Sequence, residues 1–253
     1  MYSSKKLNNF DLILNRLKKI FPENFCIETV HTLRTPNKFY PLIKIVIGKG
    51  NFRRALISAG IHGDEPGGIE TILKFLENKC YDLYKDTWEI TFLPCINPYG
   101  YEFGTRENHQ QKDLNRLFKN EKPPLEVSFA QSILDSKFDL TLELHEDDES
   151  NGYYLYQKET NSKYQQLGIE IINAIQEIMP INTDNEIDGS TAHQGVINND
   201  LDLSKMDWWP MALYGISRGA QISLTLEAAT QYELSSRVEA HLLGIKTALE
   251  KFG

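Results

Sequence analysis

The feature that most constrains the fold is the alternation of short apolar runs with segments whose apolar residues recur every three or four positions. A short apolar run bounded by turn residues is typical of a buried strand, and the three-to-four spacing is typical of an amphipathic helix. Strands and helices in alternation predict an α/β fold with a mixed, mostly parallel central sheet and helices on both faces. The predicted strands are residues 26–32, 42–48, 54–60, 88–96, 138–144, 153–156 and 222–226, and the predicted helices are 7–20, 69–76, 125–134, 164–179 and 233–252.

Length and charge narrow the class of protein further. The 253 residues contain no internal repeat and no Gly/Ser linker, so we expect a single domain spanning residues 1–253. The formal net charge of −8 argues against a nucleic-acid partner, because such binding needs a basic surface. No apolar stretch approaches the ~18 residues of a membrane span. Three widely spaced cysteines do not form a disulfide framework, so we expect reduced thiols in a cytoplasmic protein without a membrane partner.

Polar side chains lie where the predicted strands end. His62, Asn97, His145 and Glu227 are each found at the end of a predicted strand or just beyond it. In open α/β sheets, ligands bind outside the carboxyl ends of the strands. These four side chains therefore lie where a ligand site is expected.

Three of the polar residues have the composition of a catalytic metal centre. His62 and Glu65 lie three residues apart at a predicted strand-to-helix turn, where both can face one ion, and His145 follows 80 residues after Glu65. Two histidines and a glutamate are the ligand set of hydrolytic zinc, with a fourth position left for water. Zinc lowers the pKa of that water to about 7. A glutamate that merely caps the turn is the alternative, so His-x-x-Glu alone decides nothing.

A long polar segment, residues 100–124, is expected to be functional because passive connections are shorter. It contains Arg106, Asn115 and Arg116, and such cationic and amide side chains suit recognition of a carboxylate. A solvated loop with surface ion pairs is the alternative. Glu227 ends an apolar strand, where an unpaired charge is rare. Beside a metal it could pass a proton from water to a leaving amine, and otherwise it would cap the closing helix.

Four motifs, taken together and in order, make the chain resemble the zinc carboxypeptidase family. This family comprises the carboxypeptidase A-like metallopeptidases and their deacylase relatives of the aspartoacylase and succinylglutamate desuccinylase type. The motifs run from residue 55 to 229. They are an apolar strand followed by GIHGDE, TRxN followed by DLNRxF, a strand ending in ELH, and a strand ending in TLE before a last helix.

The resemblance implies one Zn²⁺ ion and a role for each matching residue. A ligating histidine normally gives its other N–H to an acceptor, which agrees with the carboxylate that the family places behind the first zinc histidine. By resemblance, the zinc ligands are His62, Glu65 and His145, the orienting carboxylate is Asp113, the arginine that polarises the scissile carbonyl is Arg106, the pair that grips the substrate's terminal carboxylate is Asn115 and Arg116, and the general base is Glu227.

Two features depart from the family's pattern. The mobile tyrosine that closes over substrate has no clear counterpart, since the nearest tyrosine, Tyr214, comes only 13 residues before Glu227 and is given no role. An acidic run, residues 146–149, follows His145 directly. The run is interpreted as a solvated loop, with an anchor for the metal site or a second metal position as alternatives that oxygen ligands would support.

Other candidate residues are expected to be structural. His31 and His241 are predicted on strand and helix surfaces without a ligand role. His109 and His193 could border the site. The tyrosines at 153–156 are predicted to pack in the core rather than to form a substrate platform.

These observations favour a zinc-dependent metallocarboxypeptidase that hydrolyses a C-terminal peptide bond through a zinc-activated water. The alternative is a zinc-dependent N-acyl amino-acid deacylase, although such relatives carry a further β-rich domain after the catalytic glutamate and only 26 residues follow Glu227 here. Both alternatives imply a peptide or N-acyl amino acid with a free carboxylate as the partner. A catalytically inactive binding protein is the third possibility, and the presence of every matching polar residue argues against it.

Overall fold

The computed structural model describes residues 7–23, 26–36, 38–198 and 202–252. Its strands and α-helices alternate along the chain, as the apolar pattern predicts. The strands are β1 Ile27–Arg34, β2 Phe39–Ile47, β3 Arg53–Ala59, β4 Trp88–Leu93, β5 Leu140–Asp147, β6 Tyr154–Glu159, β7 Glu186–Ile187, β8 Ser190–Thr191, β9 Val196–Ile197 and β10 Ile222–Ala229. The helices are α1 Phe10–Ile20, α2 Pro66–Glu77, α3 Pro98–Phe103, α4 Leu125–Leu134, α5 Leu167–Ile175, α6 Met211–Ser217 and α7 Leu234–Lys251.

Eight strands form one sheet in the order β1-β2-β4-β3-β5-β10-β6-β9, and β7 pairs with β8 in a separate hairpin. The centre of the sheet, from β4 through β3 and β5 to β10, is parallel. The pairs β1–β2, β2–β4 and β10–β6 are antiparallel, and the edge pair β6–β9 is parallel. This arrangement confirms the predicted α/β fold with a mostly parallel central sheet. Among the described residues, no helix combines the length and the apolar character that crossing a membrane requires.

Several element boundaries differ from the predicted ones. Strands β5 and β10 run three residues past their predicted ends, so His145 and Glu227 lie inside strands rather than beyond them. Extended backbone continues there because the two strands pair with each other through Asp147 and Ala229. Helix α1 begins at Phe10, three residues later than predicted, because the Asn9 side chain accepts the N–H of Asp11 and caps the first turn.

The two faces of β5 and β10 differ in polarity, and this difference positions the site. Leucines alternate with Thr141, Glu143 and His145 along β5, so the leucines share one face of the sheet and the polar residues share the other. Helix α7 covers the apolar face, where a Cβ at Gly244 would lie 3.0 Å from Leu226 Cδ1. Helix α6 covers the polar face, where a Cβ at Gly215 would lie 3.5 Å from Thr141. The centre of the sheet therefore has a buried polar surface beneath α6.

Candidate active site

A cavity of about 600 Å³ opens over the polar face of β5 and β10. Its walls come from the turn after β3, the polar segment between α3 and α4, and the loop that leads into α6. It is bordered by seven of the eight residues that the sequence singles out: His62, Glu65, Arg106, Asn115, Arg116, His145 and Glu227. The eighth, Asp113, lies directly behind His62, with its Oδ1 3.2 Å from His62 Nε2.

The turn that presents His62 and Glu65 depends on a glycine between them. A Cβ at Gly63 would lie 1.9 Å from the carbonyl carbon of Gly100, closer than real Cβ contacts allow. The Gly63 N–H donates to the carbonyl of Thr105 at 3.1 Å. Backbone therefore packs against backbone here, which holds the turn against the segment that carries Arg106. This close contact explains why the second glycine of the GIHGDE motif, Gly63, cannot be replaced by a larger residue without moving the backbone.

His62, Glu65 and His145 converge as a buried group of metal-ligand type. Glu65 Oε1 lies 2.6 Å from His62 Nδ1, and Glu65 Oε2 lies 2.9 Å from His145 Nδ1. One nitrogen or oxygen from each of the three residues lies within 4.8 Å of the others. The group is the one such cluster found among the described residues. Two imidazole nitrogens and one carboxylate fit zinc, which binds catalytic His₂Glu sets of this kind.

A carboxylate behind His62 orients its ring. Asp113 Oδ1 accepts a hydrogen bond from the second ring nitrogen of His62, and Asp113 Oδ2 accepts one from Arg106 Nε at 3.2 Å. Burial opposes ionisation of Asp113, but its hydrogen bond to His62 and the nearby guanidinium of Arg106 hold its pKa well below the usual range. Burial likewise acts to raise the pKa of Glu65, and the two adjacent histidines outweigh it and lower that pKa to about 2. Glu65 is therefore a carboxylate that is ready to bind a cation.

The polar segment supplies two arginines and an amide, and each of the three side chains has a different contact. Arg106 Nη1 lies 3.4 Å from Glu65 Oε1, so its guanidinium borders the metal-ligand group. Asn115 Oδ1 accepts the Met211 N–H at 2.9 Å, so this side chain also fixes the start of α6. The Arg116 guanidinium carbon lies 4.3 Å from the centre of the Trp208 ring. Trp208 borders the cavity too and was not predicted, because a tryptophan in an irregular segment carries no spacing signal.

Glu227 lies beside the metal-ligand group on the adjacent strand. The β10–β5 ladder pairs Glu227 with His145 directly. Burial raises the pKa of Glu227 to about 8, nearby Glu65 and Asp147 add to the increase, and His145 and Arg106 oppose it. A carboxyl group with a pKa near neutrality can both accept and return a proton at neutral pH.

The acidic run after His145 begins with an anchor. The Glu146 carboxylate forms an ion pair with Arg237 of α7 and accepts the Gly67 N–H at 2.7 Å. Its own backbone N–H donates to Glu65 Oε2 at 3.2 Å. Glu146 therefore joins the end of β5, the first turn of α2 and α7, and it agrees with the anchoring alternative rather than with a solvated loop.

The prediction that His241 lies on a helix surface was wrong. His241 is fully buried on α7, where its Nδ1 accepts the Tyr153 hydroxyl at 2.9 Å. Its Nε2–H donates to the backbone carbonyl of His145 at 3.0 Å. Burial lowers the pKa of His241 to about 3, so the ring is neutral. The helical spacing of α7 cannot reveal this role, because polar residues on an amphipathic helix usually face water. His31 is exposed on β1, as predicted.

The other two histidine candidates do not border the main cavity. His193 is exposed, and His109 borders a separate cavity of about 210 Å³ beside Tyr99. Tyr214 is not among the residues that line the main cavity either, and its hydroxyl group donates to Asp135 at 3.0 Å.

The tyrosine cluster is divided between the core and the cavity. Tyr153 packs in the core, as predicted, whereas Tyr154 and Tyr156 border the cavity. Their hydroxyl groups donate to Asp147 at 2.8 Å and to Asp188 at 2.6 Å. Tyr154 is buried and packs with Ile187, Ala192 and Ile197, and Tyr156 packs against the same cluster. The packing prediction is therefore confirmed for these two residues as well, although their period-two spacing along β6 places both on the polar face beside the cavity.

The fold recurs in solved structures of low sequence identity. A candidate metallopeptidase of Shewanella denitrificans matches with a TM-score of 0.78 at 22% identity, over 95% of this chain and 89% of its own. A metallo-carboxypeptidase of Burkholderia cenocepacia matches with a TM-score of 0.72 at 13% identity, over 97% and 69%. A metallo-carboxypeptidase of Pseudomonas aeruginosa, in complex with (2-guanidinoethylmercapto)succinic acid, matches with a TM-score of 0.70 at 12% identity, over 96% and 68%. These likenesses support the carboxypeptidase-like fold. No curated protein matches the sequence.

A match to a family model shows which protein family the chain belongs to. The model of the succinylglutamate desuccinylase/aspartoacylase catalytic domain matches residues 51–241. The match covers about three quarters of the chain and includes all four motifs. The chain therefore belongs to the succinylglutamate desuccinylase/aspartoacylase catalytic-domain family of hydrolases.

Proposed function

We propose that this protein is a zinc-dependent hydrolase that cleaves the amide bond before an amino acid with a free carboxylate, and that it acts as a carboxypeptidase. The observation that carries the proposal is the convergence of His62, Glu65 and His145 within 4.8 Å, with Glu227 on the adjacent strand. Arg106 and Arg116 border the same cavity and supply its positive charge.

In this reaction, Glu227 and Arg106 each act at a defined step. A bound zinc ion supplies Lewis acidity and lowers the pKa of water. Glu227 accepts a proton from the attacking water, whose oxygen forms a bond to the carbonyl carbon. Arg106 donates hydrogen bonds to the oxygen that becomes negative. The carbon–nitrogen bond then breaks, and Glu227 returns its proton to the nitrogen, so the products are a carboxylic acid and an amine. At neutral pH the acid gives up its remaining proton and the amine gains one, which leaves a carboxylate and an ammonium group.

Recognition of a terminal carboxylate restricts which bond can react. Arg116 presents a forked donor whose position is supported by the Trp208 ring, and such a donor suits a carboxylate. A substrate fixed by its terminus places only the last amide bond beside Glu227. The cavity of about 600 Å³ has room for residues on both sides of that bond, which favours a peptide over a small acyl group. The succinic acid derivative bound to the Pseudomonas relative is consistent with a carboxylate-bearing ligand.

Family membership favours a second candidate, an N-acyl amino-acid deacylase. The matched family is defined by succinylglutamate desuccinylase and aspartoacylase. The same residues would act in the same steps, because both reactions release an amino acid with a free carboxylate. The two candidates differ only in the acyl group.

An assay that changes only the acyl group separates the two candidates. The zinc-loaded protein is incubated with N-acetyl, N-succinyl and N-acetyl-alanyl derivatives of the same amino acids, and the released amine is measured. A carboxypeptidase prefers the alanyl substrate, and a deacylase prefers the acetyl or succinyl one. Failure to hydrolyse any of them would contradict both candidates.

A variant of Glu227 tests the assigned chemistry. We expect Glu227→Gln to retain one equivalent of zinc by elemental analysis and to lose about 10²–10⁴-fold in kcat, because an amide cannot transfer the proton. Glu170→Gln, which removes a charge from the exposed first turn of α5, is the matched control. Turnover by Glu227→Gln close to that of the control would refute the role.

A further inference from the structure

A tight turn at residues 108–112 brings Arg106 and Asp113 together beside His62. Arg106 Nε donates to Asp113 Oδ2 at 3.2 Å, so the chain reverses its direction between these two residues. Within the turn, Gln111 adopts the left-handed backbone conformation, with a φ of 58°. The conformation of this turn therefore decides where the Arg106 guanidinium lies relative to the metal-ligand group.

Asn108 closes the turn. Its side-chain Oδ1 accepts the N–H of Gln110 at 2.9 Å and the N–H of Lys112 at 3.2 Å. Its backbone N–H donates to the Lys112 carbonyl at 3.1 Å, and its own carbonyl accepts the Gln111 N–H at 2.9 Å. Asn108 is 3% exposed, so water competes little for these hydrogen bonds. The turn thus depends on the orientation of a single amide side chain.

A buried carboxylate on helix α4 fixes that orientation. Asn108 Nδ2 donates to Glu126 Oε1 at 3.1 Å, and His109 Nδ1 lies 3.7 Å from the same oxygen, beyond hydrogen-bond distance. Glu126 is 0% exposed, and its Oε2 has no hydrogen-bond partner in the described part of the chain. Stability alone does not account for a carboxylate at this position, because an apolar side chain of similar size would avoid its desolvation cost.

We propose that Glu126 is a positioning residue for Arg106. Glu126 holds the Asn108 amide, the amide holds the turn, and the turn holds the guanidinium where negative charge develops in the reaction. Glu126 is not among the residues that border the main cavity, so it acts through Arg106 and not on the substrate. The residues proposed to bind the terminal carboxylate, Asn115 and Arg116, lie outside the turn. This inference rests on the proposed function, in which Arg106 stabilises the oxygen that becomes negative.

A double-mutant cycle at saturating zinc tests whether Glu126 acts through Arg106. Loss of one donor to a developing negative charge costs about 10²–10³-fold in kcat. Glu126→Leu displaces Arg106 without removing it, so we expect kcat to fall at least about tenfold while KM stays within about twofold. Glu126→Gln keeps an oxygen that can accept from Asn108 and should retain at least about half of the wild-type kcat. In an Arg106→Met background, Glu126→Leu should cause no further loss.

Other outcomes of this cycle would overturn the proposal. A role in stability alone would lower the free energy of unfolding of Glu126→Leu and leave the kcat of the folded protein unchanged. Losses in kcat that multiply in the double variant would show that Glu126 acts independently of Arg106. Equal kcat values for Glu126→Leu and Glu126→Gln would show that the hydrogen bond to Asn108 has no part in catalysis.

Two further measurements keep the proposal testable if Glu126→Leu folds poorly or if no substrate is hydrolysed. Asn108→Ala removes the other side of the same contact and should reproduce the loss in kcat. Hydrogen exchange of the metal-free protein, followed by mass spectrometry over residues 106–113, reports on the turn without turnover. We expect amides of the turn to exchange at least about tenfold faster in Glu126→Leu than in Glu126→Gln or the Glu170→Gln control.

The exchange measurement separates this inference from the proposed function. If no substrate is hydrolysed but exchange in the turn rises as expected, the proposed function fails and the positioning of the turn by Glu126 stands. Equal exchange rates in the wild type and in Glu126→Leu overturn the positioning role. A wild-type kcat for Asn108→Ala overturns it as well, because the turn would then hold Arg106 without the Asn108–Glu126 contact.

Discussion

The buried ion pair between Arg237 and Glu146 should contribute strongly to the stability of the fold, although neither residue has a proposed catalytic role. The Glu146 side chain is 0% exposed and that of Arg237 is 13% exposed. If Arg237 is replaced by methionine, the buried carboxylate keeps only the Gly67 N–H as a donor. Removing one partner of a buried pair costs about 3–5 kcal/mol. Because Arg237 retains some exposure, we expect the lower end of that range, a loss of about 3 kcal/mol in the free energy of unfolding.

Urea unfolding of the metal-free protein measures this loss, with Lys74→Met as the control. Lys74 and Glu239 also join α2 and α7, but they are 40% and 57% exposed and 3.9 Å apart, so the control should lose less than about 1 kcal/mol. The double variant Glu146→Gln/Arg237→Met carries no unpaired charge and should recover about half of the loss. If Arg237→Met were no less stable than Lys74→Met, the anchoring role of Glu146 would be refuted.

The same variant should also weaken metal binding. The Glu146 backbone N–H donates to Glu65 Oε2, so movement of Glu146 misplaces a proposed zinc ligand. Loss of such supporting contacts costs about 10–100-fold in metal affinity. Competition with a chromogenic zinc chelator measures the affinity, and an unchanged value for Arg237→Met would show that the anchor supports only the fold.

Three further predictions concern the turn, the buried histidine and the metal. Gly63→Ala places a Cβ against the backbone of Gly100, so we expect the free energy of unfolding in urea to fall by more than about 2 kcal/mol, and a wild-type midpoint would contradict the packing argument. His241 has a folded pKa of about 3 against about 6.5 when unfolded, so its stabilising effect is complete above pH 6.5 and is lost as the pH falls toward 3. Relative to His241→Gln, the wild type should lose about 1 kcal/mol per pH unit between pH 6 and 4, and parallel pH profiles would contradict a neutral buried ring. Zinc at 100 times its Kd should stabilise the metal-free protein by about 2.7 kcal/mol, seen as a rise in Tm that magnesium does not reproduce, and no rise would contradict the metal assignment.

The metal-ligand group is predictable from the sequence because its residue types are ones that zinc binds and because four ordered motifs resemble those of the zinc carboxypeptidase family. His62, Glu65 and His145 are of the kinds that zinc binds, and each lies near the carboxyl end of a strand in an α/β pattern. Parallel strands bring such ends together whatever the intervening loops do. Glu227 follows the same logic, because its strand lies next to β5 in the sheet.

The helices predicted on both faces imply that the sheet is covered, but the strand pattern does not show which polar side chains are buried. Leucines alternate with Thr141, Glu143 and His145, and such alternation is typical of a strand with one face toward water. In the structure both faces of this strand are buried, because α6 covers the polar one. A strand pattern records which residues share a face and not what lies above that face. Glu143 therefore resembles an ordinary solvated residue in the sequence, although it is among the most buried carboxylates of the molecule.

Helix α7 illustrates a second limit and also connects stability with function. Arg237 and His241 are four residues apart, one turn of helix, and they contact two consecutive residues of β5, Glu146 and His145. One contact is an ion pair and the other a hydrogen bond to a backbone carbonyl, so neither has a pattern within the sequence of α7. Since both contacts hold the strand that supplies a proposed zinc ligand, a displacement of α7 would disturb the core and the metal site together. Zinc affinity should therefore fall in step with unfolding free energy among α7 variants, whereas variants of the exposed α5 surface should change neither.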